Sequence, residues 1–196
     1  YAVRNFISGC RLHCGDHTYN TTNYGSNWSV VNQLSNDFLG TQSRGFDIDP
    51  FNSSVIYSAY PRIGSNNWLL IYKSTDKGSS WSIIDSLQAI THQLPQGYTK
   101  INPFRSNYIY IRGYYNLLFS SNSGTGFGPA KNSASFADLK FNRFDSSIVA
   151  YNTTTFYKSA DHGANWSKLS FLPDPIRCLA VSPSINGIFY AGTDYA

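Results

Sequence analysis

Two stretches of the sequence place a hydroxyl, a carboxylate and a glycine at one fixed spacing, as a catalytic or metal-binding loop would. The matching positions are Ser74, Asp76, Gly78 and Trp81 in STDKGSSW, and Ser159, Asp161, Gly163 and Trp166 in SADHGANW. A calcium loop uses several carboxylates at alternating positions, whereas each stretch offers one. The spacing is a poor match to a calcium site and favours a structural turn.

The same pattern occurs four times, which is typical of a structural repeat. The two looser copies are Thr21, Asn23, Gly25 and Trp28 in TTNYGSNW, and Ser120, Asn122, Gly124 and Phe127 in SSNSGTGF. In a hairpin, the hydroxyl and carboxylate can accept backbone N–H groups, glycine can adopt a positive φ, and tryptophan can pack as an apolar plug. The pattern therefore predicts four hairpin staples rather than four catalytic loops.

A second repeat alternates with the first and predicts the strands that carry it. Four segments each show an alternating strand, a polar turn and a second apolar strand: 46–60, 99–113, 139–153 and 179–193. Their turn anchors are Asp49, Asn102, Asn142 and Ser182. Both repeats recur near the roughly 40 to 50 residues of a four-stranded propeller blade. The predicted fold is all-β, a β-propeller of four-stranded antiparallel blades.

The first repeat resembles the Asp-box, also called the bacterial neuraminidase repeat. It is similar to the boxes of sialidases, sortilin-type receptor ectodomains, xyloglucan-cutting glycoside hydrolases and a photosystem-assembly propeller. Residues 74–81 and 159–166 match the box in full, whereas Asn23 and Asn122 replace its aspartate and Phe127 replaces its tryptophan. The resemblance implies that each box joins the third and fourth strands of a blade, on the face opposite the ligand site.

The blades are expected to fill the whole chain, residues 1–196, as one propeller region. We predict a partial blade over 1–35, whole blades over 45–84, 98–128 and 137–170, and another partial blade over 176–196. Propellers of this family with fewer than six blades would be unusual. The chain is thus expected to be an excerpt of a larger propeller, completed by more chain or by other subunits. The alternative is a small four-bladed ring, closed by pairing the last strands with the first.

Function is expected on the face opposite the boxes, in the loops that leave the second and fourth strands. Those loops combine guanidinium groups with aromatic rings, which suit sugars, carboxylates or a protein epitope. The candidate ligand-binding residues are Arg44, Tyr60, Arg62, Trp68, Arg112, Tyr114, Tyr115 and Arg177, with His92 in the same loops.

A binding, adhesion or assembly module that takes a protein or glycan ligand is the favoured function, with no cofactor. The alternative is a glycoside hydrolase, which needs two carboxylates across a cleft. The available acids are Asp37, Asp47, Asp85, Asp138 and Asp174. A xyloglucanase-like enzyme fits better than a sialidase, because Gly64 stands where the sialidase Arg-Ile-Pro signature has proline and these loops carry no glutamate.

The sequence does not decide the oxidation state of the cysteines or the glycosylation of the asparagine sequons. Cys10 and Cys14 could form a disulfide, and Cys178 is expected to be a buried thiol. The first two cysteines with His13 and His17 lack the separated ligand pairs of structural zinc modules, so no metal is predicted. Glycosylation is permitted at Asn20, Asn27, Asn52, Asn152 and Asn165.

Composition limits the partners. Aromatic residues reach 16% and charged residues only 13%, and the net charge of +4 comes from scattered basic residues. Nucleic acid is not expected as a partner, because proteins that bind its phosphate backbone usually present a concentrated basic face. No stretch approaches 18 apolar residues, so direct membrane insertion is not predicted. A secreted or cell-surface location is expected.

Overall fold

A computed structural model describes residues 2–4, 17–33, 45–62, 68–88, 98–113 and 116–194. The chain divides into two compact units, Tyr1–Ile101 and Asn102–Ala196. All regular elements in the described residues are β-strands, which confirms the predicted all-β class. In this part of the chain, no helix is long and apolar enough to cross a membrane.

The first unit contains a three-stranded and a four-stranded antiparallel sheet, with strand orders β1-β2-β3 and β4-β5-β6-β7. The strands are β1 (Ala2–Arg4), β2 (His17–Asn20), β3 (Ser29–Gln33), β4 (Phe46–Ile48), β5 (Ile56–Arg62), β6 (Trp68–Ser74) and β7 (Ser82–Gln88). Tyr60, Leu70 and Tyr72 form a buried cluster, against which Trp68 and Trp81 pack. The consecutive buried residues of β5 and β6 thus supply the core of this sheet.

The second unit contains the remaining strands, and β8 leads into it from the first. They are β8 (Thr99–Asn102), β9 (Arg105–Arg112), β10 (Leu117–Ser120), β11 (Gly128–Pro129), β12 (Asp138–Phe141), β13 (Ile148–Tyr151), β14 (Thr155–Ser159), β15 (Ser167–Phe171), β16 (Ile176–Val181) and β17 (Phe189–Thr193). The sheet orders are β11-β10-β9-β8, β12-β13-β14-β15 and β16-β17. Four-stranded antiparallel meanders of this kind are the predicted blades.

Burial falls from the inner to the outer strands of the sheet β12-β13-β14-β15. All four residues of β13 are buried, whereas all five residues of β15 are exposed. An unbroken apolar run such as Ile148–Tyr151 is expected where both faces of a strand are covered. Aromatic rings fill the adjoining space in this unit: Tyr110 lies 5.8 Å from Phe119 and 5.7 Å from Phe141, between ring centroids.

Candidate functional site

The four predicted hairpin staples form, and we call them the hairpin motifs. In the motif of β14 and β15, the Ser159 hydroxyl accepts the N–H of Gly163 at 2.8 Å and donates to Asp161 at 2.9 Å. The Asp161 carboxylate in turn accepts the N–H of Asn165 at 2.9 Å. The same serine-to-aspartate bond joins Ser74 to Asp76 at 2.8 Å. These polar groups are occupied inside their own turns, as expected for structural residues.

The two looser copies use the same bonds with asparagine in place of aspartate. Thr21 donates to Asn23 at 2.9 Å, and Ser120 donates to Asn122 at 2.7 Å. A neutral amide oxygen can therefore accept the hydroxyl of the motif in place of a carboxylate oxygen. The hydroxyl-to-acceptor bond forms without a charge on the acceptor.

The aromatic residue that ends each motif is not packed equally. Trp166 is 3% exposed, donates its indole N–H to the Gly163 carbonyl at 2.9 Å, and lies 4.5 Å from the Phe136 ring. Trp28 is 48% exposed. The expectation of an apolar plug is therefore correct for Trp166 and wrong for Trp28, whose sheet has only three described strands.

The hairpin motifs and the anchored turns define one end of the sheets in the second unit, which we call the turn end. The opposite end, which we call the site end, carries the last residues of β9, β13 and β17 and the first residues of β12 and β16. Arg112, Asp138, Tyr151, Arg177 and Asp194 lie there. Three separate sheets therefore contribute charged or hydroxyl-bearing side chains to one end of this unit.

Tyr151 lies at the centre of this group. It pairs with Asp138 across β12 and β13, and its hydroxyl donates to the Arg177 carbonyl at 2.8 Å. Burial raises the pKa of the Tyr151 hydroxyl, and the charges of Asp138 and Cys178 raise it further, whereas Arg112 acts in the opposite direction. Tyr151 is 4% exposed and packs with Val149, Ile176 and Leu179, so its phenol belongs to the core beneath the charged groups of the site end.

The two arginines of the site end are held in different ways. The Arg112 guanidinium donates to the Ser135 hydroxyl at 3.4 Å, and that hydroxyl donates to the Gly113 carbonyl at 2.9 Å. Arg177 forms an exposed ion pair with Asp194, which raises the pKa of the arginine and lowers that of the aspartate. Arg112 is therefore positioned by the connection between two sheets, whereas Arg177 can exchange its partner for a ligand.

Asp138 is the most enclosed carboxylate of the site end. Its side chain is 26% exposed, accepts the backbone N–H of Leu139 at 2.8 Å, and pairs with Lys140 at 2.8 Å. Guanidinium groups can bind carboxylates or sugar hydroxyls, and carboxylates can accept sugar hydroxyls. The arrangement is chemically suited to a polar ligand such as a glycan or a peptide.

Two of the predicted ligand-binding residues contribute instead to the core of the first unit. Tyr60 is 2% exposed within β5, and its ring meets the Tyr72 ring edge-on at 5.6 Å. Trp68 begins β6 and packs against the same cluster. The loop prediction was wrong for Tyr60 because β5 extends to Arg62 rather than ending at Tyr60.

Several other predicted ligand-binding residues have side chains that the structure does not describe. Arg62 is one of them, and its backbone ends β5. The remaining candidates outside the described residues are Arg44, His92, Tyr114 and Tyr115, with Asp37 among the acids and Cys10, His13 and Cys14 among the possible zinc or disulfide residues.

Asp47 serves the structure and is a poor catalytic candidate. Its carboxylate accepts the backbone N–H groups of Ile48 at 3.0 Å and Ile101 at 2.9 Å. Burial raises the pKa of Asp47, and these two hydrogen bonds oppose that effect. Removing Asp47 would disturb the first unit, so loss of activity in such a variant would not identify a catalyst.

Cys178 differs from expectation. It is an exposed free thiol, although the sequence predicted a buried one. The two-stranded sheet of β16 and β17 buries Ile176 and Leu179, and a register shift between Ile176 and Cys178 turns the thiol away from that face. Among the described residues, no cluster of three or more His, Cys, Asp or Glu could hold a metal ion.

Sequence reasoning missed Tyr151 and Asp194 as parts of the site end. Both follow the signal that singled out Arg112, namely a polar or aromatic residue where the second strand of a blade ends. Tyr151 ends β13, and Asp194 follows β17. Applying that criterion to every second strand would have found them.

A separate apolar cavity of about 380 Å³ lies in the second unit between the sheet of β12 to β15 and the sheet of β16 and β17. Its lining residues are Val149, Phe156, Leu169, Ser170, Leu172, Leu179, Phe189, Tyr190 and Ala191. Acids, bases and guanidinium groups do not line it. The cavity thus lacks the chemistry present at the site end.

Solved structures of β-propellers share this fold. A GH74 enzyme from Niastella koreensis matches with a TM-score of 0.63 and 16% identity, over 92% of this chain and 31% of that one. The GH74 xyloglucanase from Xanthomonas campestris matches with a TM-score of 0.59 and 14% identity, over 91% and 34%. YCF48 bound to D1 peptide matches with a TM-score of 0.57 and 13% identity, over 98% and 65%.

No protein-family model and no curated protein sequence matches the chain. The chain spans 31% of the Niastella enzyme and 65% of the YCF48 chain. At identities of 13 to 17% these likenesses establish architecture and not activity. The chain has the β-propeller fold, built from four-stranded antiparallel blades.

Proposed function

We propose that the chain is part of a binding propeller that takes a protein or glycan ligand at the site end of its second unit. The observation that carries this proposal is that three sheets place Arg112, Asp138 and Arg177 at one end of the unit, where the Tyr151 hydroxyl joins two of the sheets by bonding the Arg177 carbonyl. We further infer that the hairpin motifs are Asp-boxes, which serve the scaffold. The hairpin motifs thus belong to the scaffold, and the site end, whose charged residues do not repeat from blade to blade, is the part that we assign to ligand recognition.

Two kinds of ligand are consistent with the proposal. YCF48 is described as bound to D1 peptide, and a GH74 neighbour is a xyloglucanase. A peptide with a free carboxylate would be bound by the guanidinium groups, whereas a neutral glycan would also donate its hydroxyls to the carboxylates of Asp138 and Asp194. The charge dependence of binding therefore separates the two ligand classes.

Calorimetric titration with a xyloglucan oligosaccharide and with a peptide ending in a free carboxylate tests the proposal. We expect one of them to bind, and Arg112→Ala and Arg177→Ala each to weaken that binding at least tenfold, which corresponds to about 1.4 kcal/mol. Arg143→Ala, at the turn end, is the matched control. Unchanged affinity in both site-end variants would contradict the proposal.

Hydrolysis of a glycan is the alternative, supported by the likeness to GH74 enzymes and by the two acids near the site end, Asp138 and Asp174. Release of reducing ends from xyloglucan would be measured for the wild type and for Asp138→Asn and Asp174→Asn. The alternative requires that the wild type releases them and that at least one variant stops doing so. Asp47 is unsuitable for this test because of its structural hydrogen bonds.

A further inference from the structure

The turns between the first and second strands of each blade present an exposed apolar side chain. In the second unit these side chains are Phe104, Phe144 and Ile185, which are 36%, 45% and 56% exposed. The corresponding turn of the first unit presents Phe51, which is 68% exposed. Single exposed apolar residues are common on protein surfaces, but here the exposure recurs at one position of a repeat.

The turns hold these side chains in fixed positions. Asn102 and Asn142 accept the N–H groups of Phe104 at 2.9 Å and Phe144 at 3.1 Å. Ser182 accepts the N–H of Ile185 at 3.0 Å. All three anchor side chains are buried, so the apolar residues project from rigid turns rather than from loose loops.

The three turns lie at the same end of the second unit. Asn142 donates to Asn186 at 2.9 Å, and Arg143 donates to the Pro183 carbonyl at 3.3 Å, which joins the second and third turns. On the other side, Asn102 donates to the Tyr110 hydroxyl at 3.3 Å, and that hydroxyl donates to the His162 carbonyl at 2.6 Å. The first turn is thereby linked to the hairpin motif beside the second.

Basic residues flank the exposed side chains. Arg105 follows Phe104 and Arg143 precedes Phe144, with the Arg143 guanidinium 5.9 Å from the Phe144 ring centre. The neighbouring acids are engaged: Asp145 lies 3.4 Å from Lys158, and Asp161 is hydrogen-bonded inside its hairpin motif. Among the described residues neither arginine forms an ion pair. The turn end thus combines apolar tips with a small excess of positive charge.

The chemistry of the tips separates the possible occupants. The shared property is hydrophobicity and not aromaticity, because Ile185 cannot stack on a sugar ring as phenylalanine can. The three tips are separate turns rather than one continuous groove for a peptide. Backbone groups within each turn also bond to one another. The Asn142 N–H donates to the Ser147 carbonyl at 2.8 Å, and the Ser182 N–H donates to the Ile188 carbonyl at 3.0 Å. A turn whose backbone N–H and C=O groups are already hydrogen-bonded to each other costs less free energy to transfer into an apolar environment.

We propose that the turn end of the second unit contacts an anionic lipid bilayer, with Phe104, Phe144 and Ile185 entering the interface below the headgroups. Arg105 and Arg143 pair with lipid phosphates, since guanidinium groups bind phosphate bidentately and long basic side chains extend to the interface. The contact is peripheral. It departs from the sequence-based expectation that the chain does not insert into membranes.

Co-sedimentation with vesicles tests this proposal, using phosphatidylcholine with and without about 30% phosphatidylserine, because anionic lipids attract basic residues near the membrane surface. The wild type is expected to bind the anionic vesicles, and the triple variant Phe104→Ser, Phe144→Ser, Ile185→Ser to bind at least tenfold more weakly. The matched control replaces three exposed apolar residues of β15 and β17, Leu169, Phe171 and Tyr190, with serine and is expected to bind as the wild type does.

The paired change Arg105→Gln and Arg143→Gln separates the charge contribution from apolar insertion. It is expected to reduce binding to anionic vesicles and to leave any weak binding to neutral vesicles unchanged. The proposal is overturned if the wild type does not sediment with anionic vesicles, or if the control triple loses as much binding as the turn-end triple. Self-association that requires Phe104, Phe144 and Ile185 without vesicle binding would overturn it in favour of a protein contact.

Discussion

The two ends of the second unit differ in whether their side chains repeat from sheet to sheet. At the turn end the same hydrogen bonds recur in successive sheets, with Ser120 and Ser159 bonding their motif partners in the same way. At the site end no position repeats: Arg112, Tyr151 and Asp194 follow or end three equivalent strands with different chemistry. Repetition therefore marks the groups that fold each blade, and the divergent, exposed groups are the ones that the proposed binding site would use.

The largest expected effect comes from filling the space at a motif glycine. Gly163 has φ +90°, and a Cβ there would lie 2.5 Å from the Tyr110 ring. Gly163→Ala is expected to lower the free energy of unfolding by about 2 to 5 kcal/mol, from backbone strain and overpacking. Urea unfolding monitored by circular dichroism measures the change.

Gly187→Ala is the control for that experiment. Gly187 also has a positive φ, +79°, but has nothing within 4 Å of an added Cβ. Its variant is expected to lose only about 1 kcal/mol, from the backbone alone. Equal decreases in the free energy of unfolding for the two variants would show that the close contact between a Cβ at position 163 and the Tyr110 ring does not affect stability.

Removing a motif hydroxyl is expected to cost less. Ser159→Ala leaves the buried N–H of Gly163 without its acceptor, and such a loss costs about 1 to 3 kcal/mol. Thr21→Ala removes the corresponding acceptor for Gly25 in a motif whose tryptophan is half exposed, where water can replace it. A smaller loss is therefore expected for Thr21→Ala in the same unfolding measurement. The reverse order would contradict the role assigned to burial.

The charge of Asp161 is expected to stabilise the fold at neutral pH and to lose that effect in acid. Burial raises the pKa of Asp161, but hydrogen bonds from Asn165 and Ser159 outweigh that effect and hold the pKa below its ordinary value. A carboxyl with a lowered folded-state pKa contributes stability above its unfolded pKa, near 4, and loses it as the pH falls through the folded value. Asp161→Asn keeps the acceptor seen at Asn122 and removes the titrating group.

Thermal unfolding from pH 7 to pH 2.5 checks this expectation. The Asp161→Asn variant should be close to the wild type in acid and less stable than it at neutral pH. Its melting temperature should therefore fall less steeply below about pH 4. A variant that follows the wild-type pH profile would show that Asp161 does not contribute to acid sensitivity.

The smallest expected effect on stability is at the site end. Arg177→Ala removes an exposed ion pair with Asp194, and exposed pairs contribute little to folding. We expect an unchanged melting temperature together with weaker ligand binding. A clear drop in the melting temperature would make Arg177 part of the scaffold and would remove the contrast between the two ends.

The scaffold was largely predictable because its signals are local and repeated. The repeated order of an alternating strand, a polar turn and a second apolar strand predicted β4 with β5, β8 with β9 and β12 with β13, and the four-fold serine, aspartate and glycine pattern predicted the hairpin motifs. The residue before each motif glycine was not predicted to have a positive φ. Lys77, Ser123 and His162 nevertheless adopt φ near +60°, because the preceding serine and aspartate bonds fix the whole turn.

The site was predicted only in part because its members come together through packing between sheets. Arg112 and Arg177 were singled out by type, but their relation to Tyr151 depends on the approach of β13 to β16. Tyr60 was misassigned since an aromatic residue at a strand end has the same local pattern whether it faces a ligand or the core. Local sequence does not distinguish those two environments.

The hydrogen-bonded path through Tyr110 has a consequence for how the second unit opens. Its hydroxyl joins Asn102, in one sheet, to the His162 carbonyl, in the next. Separating the two sheets would break the bond between the Tyr110 hydroxyl and the His162 carbonyl and leave both groups without that partner. Repeat proteins gain cooperativity from such contacts between neighbours, so these two sheets should lose amide protection from hydrogen exchange together and not one at a time.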